Sequence, residues 1–258
     1  MTNHGWILER RPVEKLDADC FAWREVALPA VEPGSVRVKT LMLSLDPTNR
    51  IWASPVESYL PPVPLGEVMR GIAVGVVEES ADPRWKAGDL VQGMLGWQER
   101  AVVPGASIIG LPPGLTPEQW FAVFSHIGLT AYFGLLDVGK AKAGETLVVS
   151  AAAGAVGSLV GQIGKNIGMR VVGIAGGAEK CRWITEELGF DAAIDYKNED
   201  VGQRLRELCP AGIDVDFENV GGEILDACLG RLALRGRVVL CARRAEESGE
   251  RADATRPH

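Results

Sequence analysis

Short apolar runs broken by glycine and proline fill the first half of the chain, and strand-length runs alternating with helix-spaced ones fill the second. Residues 35–45 (SVRVKTLMLSL) set Val36 and Val38 against Arg37 and Lys39, the alternation of a strand with one buried face. Residues 71–78 (GIAVGVVE) carry Gly75 in mid-run, which points to a bulge or tight bend. Residues 88–93 and 98–103 continue the series, and many short strands at close spacing predict a small, partly open barrel over 1–125. Pro113-Gly114 is a turn signal, and Thr116-Pro117-Glu118 opens a helix with Thr116 as cap and Pro117 in the first turn. A second short helix is expected over 130–136, ending near Gly139, and the domain boundary is placed at 125/126.

Residues 146–150 hold two adjacent valines in a run suited to a strand buried on both faces. Residues 151–157 (AAAGAVG) are small, and 158–167 place Leu159, Ile163 and Ile167 four apart on one helical face. Residues 170–175 are apolar and β-branched again, so the unit reads strand, glycine turn, helix, strand. The alternation continues with a helix over 179–188, a strand over 192–194, a helix over 199–208, a strand over 215–217, a helix over 223–234 and a strand over 237–241. This is a doubly wound α/β domain of Rossmann type over 126–241, with five strands where a full one has six. Residues 242–258 (ARRAEESGERADATRPH) contain no Val, Ile, Leu, Met, Phe, Tyr or Trp, so a disordered polar tail is expected. Loss of apolar residues directly after a core strand points to a truncated or frame-shifted chain. An unrelated sequence in all three reading frames after the Cys241 codon would count against a frameshift.

Composition narrows the function classes. A chain of 258 residues with 47% hydrophobic and 24% charged residues has room for one or two globular domains. A formal net charge of −7 with no basic face argues against a nucleic-acid partner. The N-terminus lacks the apolar core of a signal peptide, and no run of about 18 apolar residues marks a membrane span. Five scattered cysteines form neither a disulfide framework nor a CxxC site, and His4, His126 and His258 form no ligand cluster. A reduced, cytoplasmic chain without metal or membrane is expected.

The glycine turn carries the chemistry. A pyrophosphate must approach amides at a helix start, where four donors lack internal partners and the helix dipole favours an anion. A side chain at Gly154 would hold phosphates away, and one at Gly157 would push the helix off the strand. Ala152 stands where the common G-x-G-x-x-G pattern has its first glycine. An NAD site carries Asp or Glu at the end of the second strand. Here Ala175, Gly176 and Gly177 stand there, followed by Glu179 and Lys180. Lys180 is the candidate ligand for a 2′-phosphate, with Arg182 a weaker one, so NADP(H) is the expected cofactor. The alternative is that both are solvated charges opening the next helix.

Taken together, SLDPTNR (44–50), VMRG (68–71), GLTAYFGLLDVGK (128–140), AAAGAVGS (151–158), GAEK (177–180), DYK (195–197) and ENVGGE (218–223) resemble the zinc-free, medium-chain NADP-dependent reductases. These include the prostaglandin and alkenal reductases, leukotriene dehydrogenases and bacterial curcumin reductase. The resemblance implies a GroES-like catalytic domain, a Rossmann domain, a homodimer, and reduction of carbon–carbon double bonds conjugated to a carbonyl of a small enone or enal. It places Gly154, Ala155 and Val156, with Ala153 beside them, on the pyrophosphate, and Lys180 and Tyr196, with Gly177, around the adenosine 2′-phosphate. Asn219 and Thr130 are placed on the nicotinamide half, and Tyr59 in the substrate pocket as the one nominated donor. Against these stand plainer readings: Tyr196 a surface ring, Thr130 a helix cap, Asn219 a turn residue, Tyr59 a packed loop tyrosine. The chain departs from the family at Thr48, where Asp-Pro-Tyr is usual, and in the polar tail. A quinone reductase of the same superfamily and a catalytically impaired NADP-binding remnant are the alternatives; activity on quinones alone, or binding without turnover, would identify them.

Overall fold

β1 (His4–Leu8) and β2 (Phe21–Glu25) form a two-stranded antiparallel ribbon at the start of the chain. The computed structural model describes residues 2–13, 16–56 and 58–241, which divide into a first unit, Met1–Pro117, and a second that begins at Glu118. The tail expected to be disordered lies outside the described residues.

In the first unit β3 (Ser35–Leu43) is followed by α1 (Pro47–Ala53), β4 (Ile72–Ser80), β5 (Leu90–Met94), β6 (Arg100–Pro104) and β7 (Ile109–Gly110). They form an antiparallel sheet in the order β6-β3-β4-β5-β7, and β6 and β7 stay unpaired with each other among the described residues. Val36 and Val38 face inward with Ala73, Val77, Val91 and Leu95, as the alternation predicts. Gly75 sits at a register irregularity between Thr40 and Met42, and a Cβ there would lie 2.4 Å from Val38 Cγ1. Helix α1 has no periodic signal in so short a stretch. It is closed by Asn49, whose Oδ1 accepts from the Asp46 amide (2.6 Å).

A helical stretch in pieces begins at the last residue of the first unit and runs into the second: α2 (Pro117–Gln119), a wider-turned segment Trp120–Phe124, α3 (His126–Tyr132) and a second wide segment Phe133–Val138. The helix expected over 130–136 begins four residues earlier, because Ser125 has extended backbone and restarts the helix. By length and composition this 22-residue stretch, mean hydropathy 1.4, is apolar enough to cross a membrane, yet its helix is interrupted at Ser125.

Five strands follow, β8 (Thr146–Val149), β9 (Arg170–Ala175), β10 (Ala192–Asp195), β11 (Ile213–Glu218) and β12 (Leu232–Leu240). They pair in parallel in the order β10-β9-β8-β11-β12. The helices α4 (Ala155–Asn166), α5 (Ala178–Glu186), α6 (Val201–Leu208) and α7 (Gly222–Leu229) connect them. One face packs Leu147, Val149, Val171, Val215 and Phe217; the other packs Val148, Val172, Ile174, Ile194 and Leu205. Apolar residues on both faces explain why these strands read as continuous runs. α4 lies close on the sheet at Gly164, where a Cβ would be 2.7 Å from Leu147 Cδ2, and Gly161 leaves room for the Phe190 ring, whose Cζ would be 1.7 Å from a Cβ there. The helix expected over 223–234 ends instead at Leu229, and residues 232–234 begin β12 beside Ile213. Arg237 holds this strand with two bonds to Glu145 (2.9 and 2.6 Å) and one to the Gly139 carbonyl (2.9 Å).

Candidate functional site

The C-terminal ends of β8, β9, β10 and β11 lie along one edge of the parallel sheet, and most of the expected cofactor residues stand there. Strand order reverses at β8, which has β9 on one side and β11 on the other. Such a switch point is where open α/β sheets bind ligands.

The turn after β8 is shaped by small residues. Ala151 takes a left-handed backbone (φ 48°), and the Gly154 amide donates to its carbonyl (2.8 Å). A Cβ at Gly157 would lie 2.4 Å from the Ala151 oxygen, so α4 can start here only on glycine. Gly154 is the residue before α4, and the Ser158 amide is the first to bond back, to the Gly154 carbonyl (2.9 Å). The amides of Ala155, Val156 and Gly157 therefore precede the helical ladder and are the donors an anion would use. Ala152 is fully buried, and its methyl is accommodated because Gly173 faces it; a Cβ on Gly173 would come within 2.8 Å. A glycine on the neighbouring strand thus replaces the first glycine of the common pattern. Ala153 lies in the same turn, between Ala152 and Gly154.

At the ends of β9 and β10, Gly177 has φ 99° and precedes α5. Asp195 ties the two strand ends together. Its Oδ1 accepts from the Gly177 amide (2.7 Å) and the Lys197 amide (3.1 Å), and its Oδ2 from Asn198 Nδ2 (2.7 Å). These bonds, the Gly177 amide foremost, hold the Asp195 carboxyl below the usual carboxylate range. They also occupy the carboxylate at the end of β10, which could otherwise serve ribose hydroxyls. Tyr196 lies over Gly176, its hydroxyl 2.9 Å from where a Cβ would stand, with Lys197 Cε at 3.0 Å. An acidic side chain at position 176 would collide with both. Lys180 is exposed in the first turn of α5, and Tyr196 is 46% exposed. Lys197 was not foreseen; the signal was its place beside Tyr196 in the DYK motif.

At the end of β11, Asn219 is latched across the switch point. Its amide donates to Ser150 Oγ (2.7 Å) and its Nδ2 to the Ser150 carbonyl (2.8 Å). Thr130 is exposed on α3, with its hydroxyl donating to the His126 carbonyl (2.7 Å); it lies inside the helix, which Ser125 caps.

Tyr59 belongs to the first unit. It is 69% exposed, its hydroxyl pairs with that of Thr48, and its ring stands edge-on to Trp52 at 6.3 Å. Arg70 lies over the other aromatic partner, 5.5 Å from the Trp52 ring centre, and donates to the Pro61 carbonyl (2.8 Å). Thr48, where the resemblance expected tyrosine, is thus a hydroxyl partner for Tyr59. Thr48, Trp52 and Arg70 are the residues that sequence reasoning did not assign. Among the described residues, no group of three or more His, Cys, Asp or Glu side chains could hold a metal ion.

Residues 4–111 match a family described as the N-terminal domain of oxidoreductase, and residues 155–255 one described as zinc-binding dehydrogenase. The NADPH-dependent curcumin reductase of Escherichia coli is 45% identical over 93% of this chain and 70% of its own length. The 2-alkenal reductase (NADP(+)-dependent) of Nicotiana tabacum is 43% identical over 80% of this chain and 61% of its own length. The crystal structure of CurA from Vibrio vulnificus in complex with NADPH superposes with a TM-score of 0.85 at 42% identity, over 91% of this chain and 70% of that one.

Proposed function

The chain belongs to the zinc-independent, NADP-dependent medium-chain oxidoreductases, and from that premise we propose that it reduces the carbon–carbon double bond of α,β-unsaturated ketones or aldehydes. The observation that carries the cofactor assignment is the end of β9: Tyr196 and Lys197 fill the space over Gly176, and Asp195 is spent on backbone amides.

The residues fit NADP(H). Ala153, Gly154, Ala155 and Val156 offer a turn of small groups and first-turn amides to the pyrophosphate. Gly177, Lys180 and Tyr196 surround the place for the 2′-phosphate, where an ammonium and a phenol are suitable donors. Asn219 and Thr130 serve the nicotinamide half. When bound, NADPH supplies a hydride, which the electron-poor β-carbon of an enone accepts because the conjugated carbonyl stores the resulting charge. That charge needs a donor in place before it develops. Tyr59 is the donor nominated for this role: its hydroxyl pairs with that of Thr48, either of which can donate, so the phenolic proton is available to a substrate oxygen when Thr48 is the donor.

The test is NADPH binding to the purified chain, then NADPH oxidation with a simple enone and, separately, with a quinone. Turnover of the enone is expected. Turnover of quinone alone would move the protein to the quinone reductases, and binding without turnover would reduce it to a cofactor-binding protein.

A further inference from the structure

We infer that Glu218 is the positioning residue for the turn that carries Asn219, an inference that rests on the cofactor reading above. Glu218 ends β11 and is 1% exposed. Its Oε1 accepts from the Gly221 amide (2.6 Å) and from the Val220 amide. The turn between β11 and α7 is therefore gripped from two sides. Ser150, on the neighbouring strand end, fixes Asn219; Glu218 fixes the two residues that follow. Gly221, the second of these, and Gly222 after it both take left-handed backbone (φ 86° and 60°), so the chain has little rigidity of its own where it swings into α7.

The rest of Glu218 makes a purely structural origin unconvincing. Its Oε2 is buried without a protein partner, and the neighbouring carboxyl on the same strand face, Asp216, is fully buried with the Cys228 thiol against it. A buried carboxyl with an unpartnered oxygen is costly, and an apolar side chain of the same size would pack at lower cost. What Glu218 does that an apolar residue cannot is accept two adjacent amide hydrogens at once, at the switch point of the sheet. Turns of this kind, set by a side chain bonding to backbone two and three residues on, hold a residue between them in a single orientation. Here that residue is Asn219.

The experiment compares two ligands on three proteins. NADPH spans the whole site, whereas 2′,5′-ADP lacks the nicotinamide half. Glu218→Met conserves buried volume and removes both acceptor oxygens, while Glu218→Gln keeps one. Glu218→Met is expected to weaken NADPH binding about tenfold, roughly the worth of one hydrogen bond between Asn219 and the ligand. It should leave 2′,5′-ADP binding within about twofold, and Glu218→Gln should restore NADPH binding. Equal loss of both ligands would show a structural role only, and unchanged NADPH binding by Glu218→Met would overturn the inference directly. If the unaltered protein binds neither ligand, the cofactor reading itself fails. Amide exchange in the unaltered protein gives a reading that needs no variant: Val220 and Gly221 should exchange slowly, and exchange at the unprotected rate would refute the contact.

Discussion

Two residues show how a local contact changes the meaning of a side chain. Tyr59 alone is an exposed loop tyrosine; with the Thr48 hydroxyl paired to its own and Trp52 at its edge, it is tied to its neighbours at both the hydroxyl and the ring. Tyr59→Phe should lower kcat for an enone by about 10²-fold, the usual worth of a positioned proton donor, with NADPH affinity unchanged. Steady-state rates and a cofactor titration on the same preparation check both halves, and an unaltered kcat would remove Tyr59 from the mechanism. Ala151 is the second case. Its left-handed backbone costs about 1–2 kcal/mol for any residue with a Cβ, partly offset in glycine by a more flexible unfolded chain. Ala151→Gly should therefore raise stability by about 0.5–1 kcal/mol in denaturant unfolding. A loss of stability would mean that the methyl group packs usefully in the turn.

At the scale of elements, β11 is where the fold and the site are in tension. Its alternate residues Asp216 and Glu218 put two carboxyls on one buried face, beside Cys228 of α7. Burial first, and the nearness of Glu218 second, push the Asp216 carboxyl up from 3.8 to about 7. The folded state thus holds a proton that the unfolded chain releases near its ordinary value. Stability from this group is fully present below about pH 4 and is lost as pH rises through about 7. Asp216→Asn removes the dependence, so its advantage over the parent should grow between those limits, reaching up to about 4 kcal/mol above them. Unfolding curves at several pH values check this; parallel profiles for the two proteins would refute it. None of this was visible in the sequence, because VDFE reads as a strand whichever partners its acids find. The alternation of strands and helices was legible, since buried parallel strands and amphipathic helices leave different periods. What was misjudged lies at boundaries: residues 232–234 are apolar enough for a helix end or a strand start, and only pairing with Ile213 decides. The latch between Asn219 and Ser150 spans 69 positions, a distance at which no local pattern operates. At the first glycine of the turn, the sequence showed a defect at Ala152 but not its remedy at Gly173 on the neighbouring strand.

For the whole molecule, the formal net charge of −7 sets the terms on which an anionic cofactor is bound. At physiological ionic strength the Debye length is about 8 Å, so the general negative field is largely screened and selection falls to groups that touch the ligand. Lys180, in the first turn of α5, is the cation proposed for this role, and Tyr196 and Lys197 lie over Gly176. If these groups make charge-assisted bonds to the 2′-phosphate, NADPH should bind roughly 10–100 times more tightly than NADH. That ratio has a thermal signature. At a concentration of about 100 times its Kd, NADPH should stabilise the folded chain by about 2.7 kcal/mol, which for a protein of this size is about 5–10 °C in Tm. NADH at the same concentration would then sit at about 1–10 times its own Kd and contribute only about 0.4–1.4 kcal/mol. Lys180→Ala should bring the NADPH shift down toward the NADH one while leaving the NADH shift in place, because the lysine acts on the phosphate that NADH lacks. Equal shifts for the two cofactors in the unaltered chain would mean that the space over Gly176 admits a ribose hydroxyl as readily as a phosphate, and the specificity would have to be sought elsewhere.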